Sequence, residues 1–473
     1  MKNSIERIIV EHEALQQCKE YLIKKEWLNI IIIADKHTYQ AAGKKLRILL
    51  QDNNINVKLC LITADKNGDV KADESSIVQA LVEIDHSLNA ILAVGSGTIH
   101  DISRFCSSRT GIPFISIPTA PSVDGFTSLG APLILQGSKI TIAAVAPQAL
   151  FADMNVLMEA PKEMIAAGVG DMIGKFTSLA DWKYGHMTAG EPYSKEVAAL
   201  TEQSLNMCIE NIESIAKKEE KGIRLLMQAL IQSGLAMLKF GHSHPASGGE
   251  HHLSHYWENA FIKENRKQLL HGAKVAVATL LISDIYKTNR QKLREINITD
   301  DIPATDYLID ILQRVEAPTR PSDLEISDEL VIKSLKEAKI ASVGSGVVLG
   351  GISFIYNETL VQMADYLAEY EIPLFAILKG SPIAIFLFMS VMLWFAIYTT
   401  AVSGIFGIAS RFKAVTNLPY WLMALILVIL MIPFTSFGFA NLVAILYPLY
   451  GLINLYLLIT ILLFPVLNRY KTE

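Results

Sequence analysis

The chain has 473 residues, 51% hydrophobic and 19% charged, with a mean hydropathy of +0.32 and a formal charge of −5. That is too apolar for an ordinary soluble enzyme and too charged for a pure membrane bundle. The mildly acidic balance, with no basic patch, also excludes a nucleic-acid partner, whose phosphates need clustered Lys and Arg.

The first fifteen residues, MKNSIERIIVEHEAL, lack the apolar run of a signal peptide, so the N-terminus is expected in the cytosol. The four cysteines (Cys18, Cys60, Cys106, Cys208) form no CxxC pair, which argues for a reducing compartment and against a cysteine zinc site. Short runs rich in β-branched residues at 29–35, 57–62, 89–94 and 113–118 predict strands, with helical patterns between them to about Leu50, at 75–84 and at 98–107. That alternation implies parallel βαβ units, whose ligands bind beyond the carboxyl ends of the strands. From Val156 to Lys339 the strand signal gives way to apolar positions every three to four residues, as at 195–217, 222–239 and 269–287. The expected organisation is an N-terminal nucleotide-binding α/β domain (1–155) and an all-α metal-binding domain (156–339), with the active site between them.

The remainder, 340–473, differs in kind. It holds five Lys or Arg and five Asp or Glu, and none of these lies within Gly380–Ser410 or Ala414–Asn468. Such runs exceed the roughly 20 apolar residues of one membrane span. Spans are expected at about 383–408, 418–437 and 440–466. Placing Arg411, Lys413, Arg469 and Lys471 on the cytosolic side calls for a fourth at about 341–357, so that the catalytic half also stays in the cytosol. The reading is a transmembrane α-helical tail of about four spans that anchors a cytoplasmic catalytic domain in the cell membrane.

Three stretches carry the chemistry. Gly95-Ser96-Gly97-Thr98-Ile99 follows the third predicted strand and opens a helix. Glycines there let a pyrophosphate approach the backbone, and free N–H groups at the helix start favour its charge; the bland alternative is a tight turn. Asp35, ending the first predicted strand, suits an adenosine ribose or, equally, a helix N-cap. The loop Thr119-Ala120-Pro121-Ser122-Val123-Asp124-Gly125-Phe126-Thr127-Ser128 carries four hydroxyl groups for a cofactor, though Asp124-Gly125 also suits a simple turn. Finally, Asp171 and six of the eleven histidines, clustered within residues 242–271, offer a carboxylate and imidazoles for a divalent cation with an open position. His251 and His255 stand one helical turn apart, and because Glu250 precedes His251 the order is not that of a zinc protease.

The pieces VGSGTIHDISR, PTAPSVDGFTS, GDMIGKFTSLADW, GGEHHLSH and LLHGAKVA, in this order over roughly residues 1–335, resemble the sn-glycerol-1-phosphate dehydrogenase family. That family lies within the group of glycerol dehydrogenase, iron-type alcohol dehydrogenases and dehydroquinate synthase. The resemblance implies NAD(P)-dependent reduction of dihydroxyacetone phosphate to sn-glycerol 1-phosphate for glycerophospholipid synthesis, with Zn2+ or another divalent metal polarising the ketone. It further implies that Asp171, His251 and His271 hold the metal. Gly95, Ser96, Gly97, Thr98, Ile99, Thr119, Ala120, Pro121, Ser122 and Ser128 would hold the cofactor, and Asp124 and His255 would touch substrate. His255 is the candidate proton relay, since imidazole titrates near neutral pH. Lys175 and Lys274 are candidates for the substrate phosphate or else solvated surface lysines. A homo-oligomer is expected. Alternatives are a glycerol or polyol dehydrogenase, and a transporter fragment carrying an inactive soluble sensor. Dehydroquinate synthase fits less well, since a Glu is expected where Asp171 stands. The departure from the family comes near Ala338, where its members continue in soluble helical sequence.

Overall fold

The computed structural model describes residues 5–288, 302–342 and Leu422. Contacts divide the chain into Met1–Gly350 and Gly351–Glu473, and every element below belongs to the first unit. Apart from Ala341, Ser342 and Leu422, the expected membrane spans lie outside the described residues. Among the described residues, one helix, Glu220–Phe240, is long and apolar enough to cross a membrane, but Leu226, Met227 and Leu230 on it are buried in the protein core.

Strands β1 (Arg7–Glu11), β2 (Asn29–Ala34), β3 (Asn56–Leu61), β4 (Ala90–Gly95), β5 (Phe114–Pro118) and a further strand at Ala149–Asp153 form one parallel sheet. A two-stranded antiparallel hairpin, β6 (Gly130–Leu135) and β7 (Ser138–Ala143), precedes that last strand, which is therefore β8; the sheet order is β1-β8-β5-β4-β2-β3. The central strands are buried on both faces, as parallel strands covered by helices must be. Ile30, Ile32, Leu92 and Val94 meet Leu46 and Leu50 on one side, while Ile31, Ile33, Ile91 and Ala93 meet Ile99, Ile102 and Cys106 on the other. Helices α1 (Ala14–Lys24), α2 (Lys44–Gln51), α3 (Glu74–Glu83) and α4 (Gly97–Thr110) make these layers. β2 pairs with β3 on one side and β4 on the other, so successive connections leave in opposite directions and open a crevice at the carboxyl ends.

After Asp153 the described chain is helical. Its main elements are α5 (Lys162–Ile173), α6 (Lys175–Ala189), α7 (Lys195–Glu210), α8 (Glu220–Phe240), α9 (Gly249–Lys263), α10 (His271–Thr288), α11 (Thr305–Arg314) and α12 (Asp328–Ser342). They bury Val10, Leu150 and Ala152 from the β1 and β8 edge together with Val169, Met172 and Leu230.

Glycines set the position of α5. A Cβ at Gly168 would stand 1.9 Å from the Pro121 carbonyl oxygen, one at Gly170 would stand 2.3 Å from that of Gly272, and one at Gly272 would stand 1.7 Å from that of Ala167. The helix is therefore held against the 119–128 loop on one side and α10 on the other at distances no larger residue permits. Gly170→Ala should cost about 1–3 kcal/mol through this overpacking, read as a lower urea midpoint of unfolding.

Candidate active site

Two loops meet at the carboxyl end of the sheet. Gly95 lies in register with Pro118, and the Thr119 N–H donates to the Gly95 carbonyl at 3.0 Å, so the glycine loop and the 119–128 loop leave the sheet side by side. A Cβ on Gly95 would sit 2.7 Å from the Ile99 side chain, and one on Gly97 3.3 Å from Val123. α4 begins at Gly97 without a side-chain cap at Ser96, leaving the first N–H groups, from Gly97 through Thr98 to the buried Ile99, without a capping partner. This cradle fits a pyrophosphate.

His100 fixes the cradle from beneath. Its Nδ1 is 2.8 Å from the Ser96 carbonyl and its Nε2 2.8 Å from the Ser116 hydroxyl. Burial pushes its pKa down to about 3, so the ring is neutral. In the neighbouring loop, Ala120 accepts from the Ser122 N–H at 3.0 Å, and the buried Ser122 hydroxyl has no partner among the described residues. The other hydroxyls are more occupied than the sequence suggests. Thr127 donates to the Ile231 carbonyl at 3.1 Å, and Ser128 lies 3.2 Å from the Gly125 carbonyl within its own turn. Asp35 serves as an N-cap: its Oδ1 accepts from the His37 and Thr38 N–H groups at 2.8 and 2.9 Å.

Asp171 on α5, His251 on α9 and His271 opening α10 each offer a ligand atom, and these lie within 4.8 Å of one another. The ring centroids of His251 and His271 are 5.2 Å apart. Asp171 is fully buried; its Oδ2 accepts the Asp124 N–H at 3.0 Å, and its Oδ1 lies 3.6 Å from His251 Nε2 and 3.2 Å from Lys175 Nζ. Burial alone would raise its pKa, yet Lys175 and His251 hold the carboxyl well below its ordinary value. One oxygen and two imidazole nitrogens at this spacing fit a divalent cation with room for a further ligand.

Lys175 is not a surface lysine. It is completely buried, and its Nζ reaches Asp124 Oδ2 at 2.8 Å and the Ala246 carbonyl at 3.0 Å as well as Asp171. Asp124, the expected substrate contact, belongs to the same arrangement: its Oδ2 faces Lys175 and accepts from the Ser233 hydroxyl at 2.8 Å. Lys274 is also buried. His255 stacks on His271 with centroids 5.7 Å apart, its Nδ1 3.5 Å from Glu258 Oε2. Burial lowers its pKa to about 4, so the expectation that it titrates near neutral pH does not hold.

Sequence reasoning passed over Glu250. This buried carboxylate accepts from the Gly248 N–H at 2.7 Å and the Thr177 hydroxyl at 2.6 Å, and its Oε1 lies 2.7 Å from His251 Nδ1. It fixes the His251 ring so that Nε2 faces Asp171. The adjacency Glu250-His251 was visible in the sequence; the fold that turns the two side chains onto each other was not.

Residues 9–161 match the iron-containing alcohol dehydrogenase family. Glycerol-1-phosphate dehydrogenase (NAD(P)+) of Geobacillus thermodenitrificans is 48% identical over 359 residues, covering 71% of this chain and 89% of that protein. The protein of the same name from Pyrococcus furiosus is 32% identical over 321 residues, covering 68% and 85%. Glycerol dehydrogenase from Schizosaccharomyces pombe superposes with a TM-score of 0.57 at 17% identity, over 72% of this chain and 83% of that one, a likeness of fold.

Two outcomes are expected. Glu250→Gln should weaken metal affinity about 10- to 100-fold, read by competition with a chromophoric chelator. His100 is neutral when folded but takes up a proton once unfolded below its ordinary pKa of 6.5. Stability should therefore fall as the pH drops from 6.5 towards 3, by up to about 1.4 kcal/mol per unit from this group. Denaturant titrations across that range should show a shallower slope in His100→Asn.

Proposed function

The chain belongs to the glycerol-1-phosphate dehydrogenase family, and from that premise we propose that it reduces dihydroxyacetone phosphate reversibly to sn-glycerol 1-phosphate with NAD(P)H, supplying a glycerol backbone for phospholipids. The observation that carries the reading is the convergence of Asp171, His251 and His271 beside the 119–128 loop, which itself runs next to the Gly95-Ser96-Gly97 cradle.

In this reading the N–H groups opening α4 and the Ser122 hydroxyl bind the cofactor phosphates and amide. Asp171, His251 and His271 would hold a divalent cation, zinc in our assignment, which supplies Lewis-acid polarisation of the ketone oxygen as hydride arrives. Glu250 keeps the proton of His251 on Nδ1, so that Nε2 is free as a ligand. Lys175 stands between Asp124 and Asp171 and offsets part of the repulsion between these two buried like charges. Low exposure of the cluster excludes bulk water and strengthens each electrostatic contact. His255, a third exposed and stacked on His271, is positioned to pass a proton from solvent to the product oxygen, one ring nitrogen accepting as the other donates. The C-terminal stretch completes the proposal as a membrane anchor, supported by its uncharged runs Gly380–Ser410 and Ala414–Asn468.

Purified full-length protein given dihydroxyacetone phosphate and NADH should form sn-glycerol 1-phosphate on chiral analysis. Formation of the opposite enantiomer, or faster turnover of unphosphorylated dihydroxyacetone, would refute the assignment.

A further inference from the structure

A second group of charges adjoins the metal-ligand triad. Glu258 on α9 is the only carboxylate among the described residues that Lys274 pairs with, at 3.4 Å from Nζ to Oε2, and the same oxygen also faces Lys139 Nζ at 2.8 Å and His255 Nδ1 at 3.5 Å. Lys274 is 1% exposed, and its Nζ otherwise meets no acceptor among the described residues. Lys139 comes from the β7 strand of the hairpin. Its backbone N–H donates to the Asn259 side chain at 2.8 Å, which fixes the hairpin to α9 independently of the ammonium group.

The charges here do not balance. Nearby, Asp101 pairs with Arg104 at 3.0 Å, and the Arg104 terminal nitrogens also reach the carbonyls of Gly130 and Gly125, so these two opposite charges offset each other. Two ammonium groups share one carboxylate, leaving at least one uncompensated positive charge in a mostly buried place, an arrangement that is costly unless an anion completes it. The surplus adjoins the cation ligands, because His255, which faces Glu258, stacks directly on His271 and Lys274 lies one turn after His271 on α10.

We propose that Lys139 and Lys274 form the subsite for the phosphate group of the substrate, with Glu258 bridging the two ammonium groups until the phosphate arrives. The inference rests on the proposed reduction of a phosphorylated ketone. It identifies the residues that distinguish such a ketone from its unphosphorylated counterpart: an anion held by the two lysines places a short phosphate ester so that its ketone oxygen reaches the Asp171, His251 and His271 cluster. Lys175, the other buried lysine near the ligands, is unavailable for this task because Asp124, Asp171 and Ala246 already surround its Nζ.

The test compares initial rates on dihydroxyacetone phosphate and dihydroxyacetone, with NADH, for the full-length wild type, Lys139→Gln and Glu258→Gln. Loss of one charge-assisted contact in Lys139→Gln should lower the ratio of kcat/KM for the phosphorylated over the plain ketone about 10- to 100-fold. The loss should appear mainly in KM for the phosphorylated substrate, while KM for NADH serves as the check on folding. Glu258→Gln, which removes the competing carboxylate, should lower KM for dihydroxyacetone phosphate, a gain that a purely structural role does not produce. A ratio unchanged in Lys139→Gln, or a higher KM for both ketones in Glu258→Gln, overturns the subsite. A wild type with no preference for the phosphorylated ketone overturns the reduction reading and the subsite together, whereas a wild-type preference that survives in Lys139→Gln overturns the subsite alone.

Discussion

The site depends on a carboxylate held in a place water does not reach. Asp171 is fully buried, and an isolated charge there would cost more than the fold could offset. Three partners from different parts of the chain make it tolerable: Lys175 one turn further on, the Asp124 N–H from the sheet's loop, and His251 from α9. The Asp124 contact ties the helical layer to the sheet's loop, and Lys175 reinforces the tie by reaching Asp124 Oδ2. A substitution at Asp171 therefore reaches beyond metal affinity, because it leaves the Asp124 N–H without its acceptor and removes one of the two carboxylates around Lys175.

That carboxylate can be so placed only because α5 approaches its neighbours at glycine distances. Gly168 faces the backbone of Pro121, and Gly170 faces that of Gly272. Since Gly272 follows His271 directly, the close crossing of α5 and α10 is also what brings Asp171 and His271 within range of one cation. Backbone packing here sets ligand geometry. The glycines act through what they leave out, and the residues beside them in sequence supply the chemistry.

Much of this was legible in the sequence where a local pattern carried it. β2, β4 and β5 are continuous apolar runs buried on both faces, and the structure places them, and the edge strand β3, within a residue or so of expectation. β1 was missed because its five residues begin and end in charge, with Val10 alone buried, as suits an edge strand. The β6–β7 hairpin was missed because its turn, Gln136-Gly137, adopts positive φ at a glutamine, which turn chemistry does not favour. The histidine-rich stretch pointed to the metal ligands, whereas the state of Lys175 was not readable: nothing local distinguishes a surface lysine from one enclosed by Asp124, Asp171 and a carbonyl 71 positions away. Asp35 shows the opposite limit. A residue that suited a ribose also caps a helix through Oδ1, a role set by the N–H groups that follow it in the chain.

The two buried lysines show how surroundings assign a task to one residue type. Burial lowers the pKa of both, since it disfavours the charged form. Around Lys175 the pull of Asp124 and Asp171 overcomes that, and its pKa is raised above the ordinary lysine value. Around Lys274 one shared carboxylate is too little, and burial leaves it at about 8. The first lysine is charge-saturated and serves to hold two carboxylates together; the second is charge-poor and has capacity left for an anion. A site that must bind a cation and a phosphate a few ångströms apart needs both conditions at once. Here α9 and α10 provide them, with histidines at their starts and Glu258 and Lys274 further along the same helices.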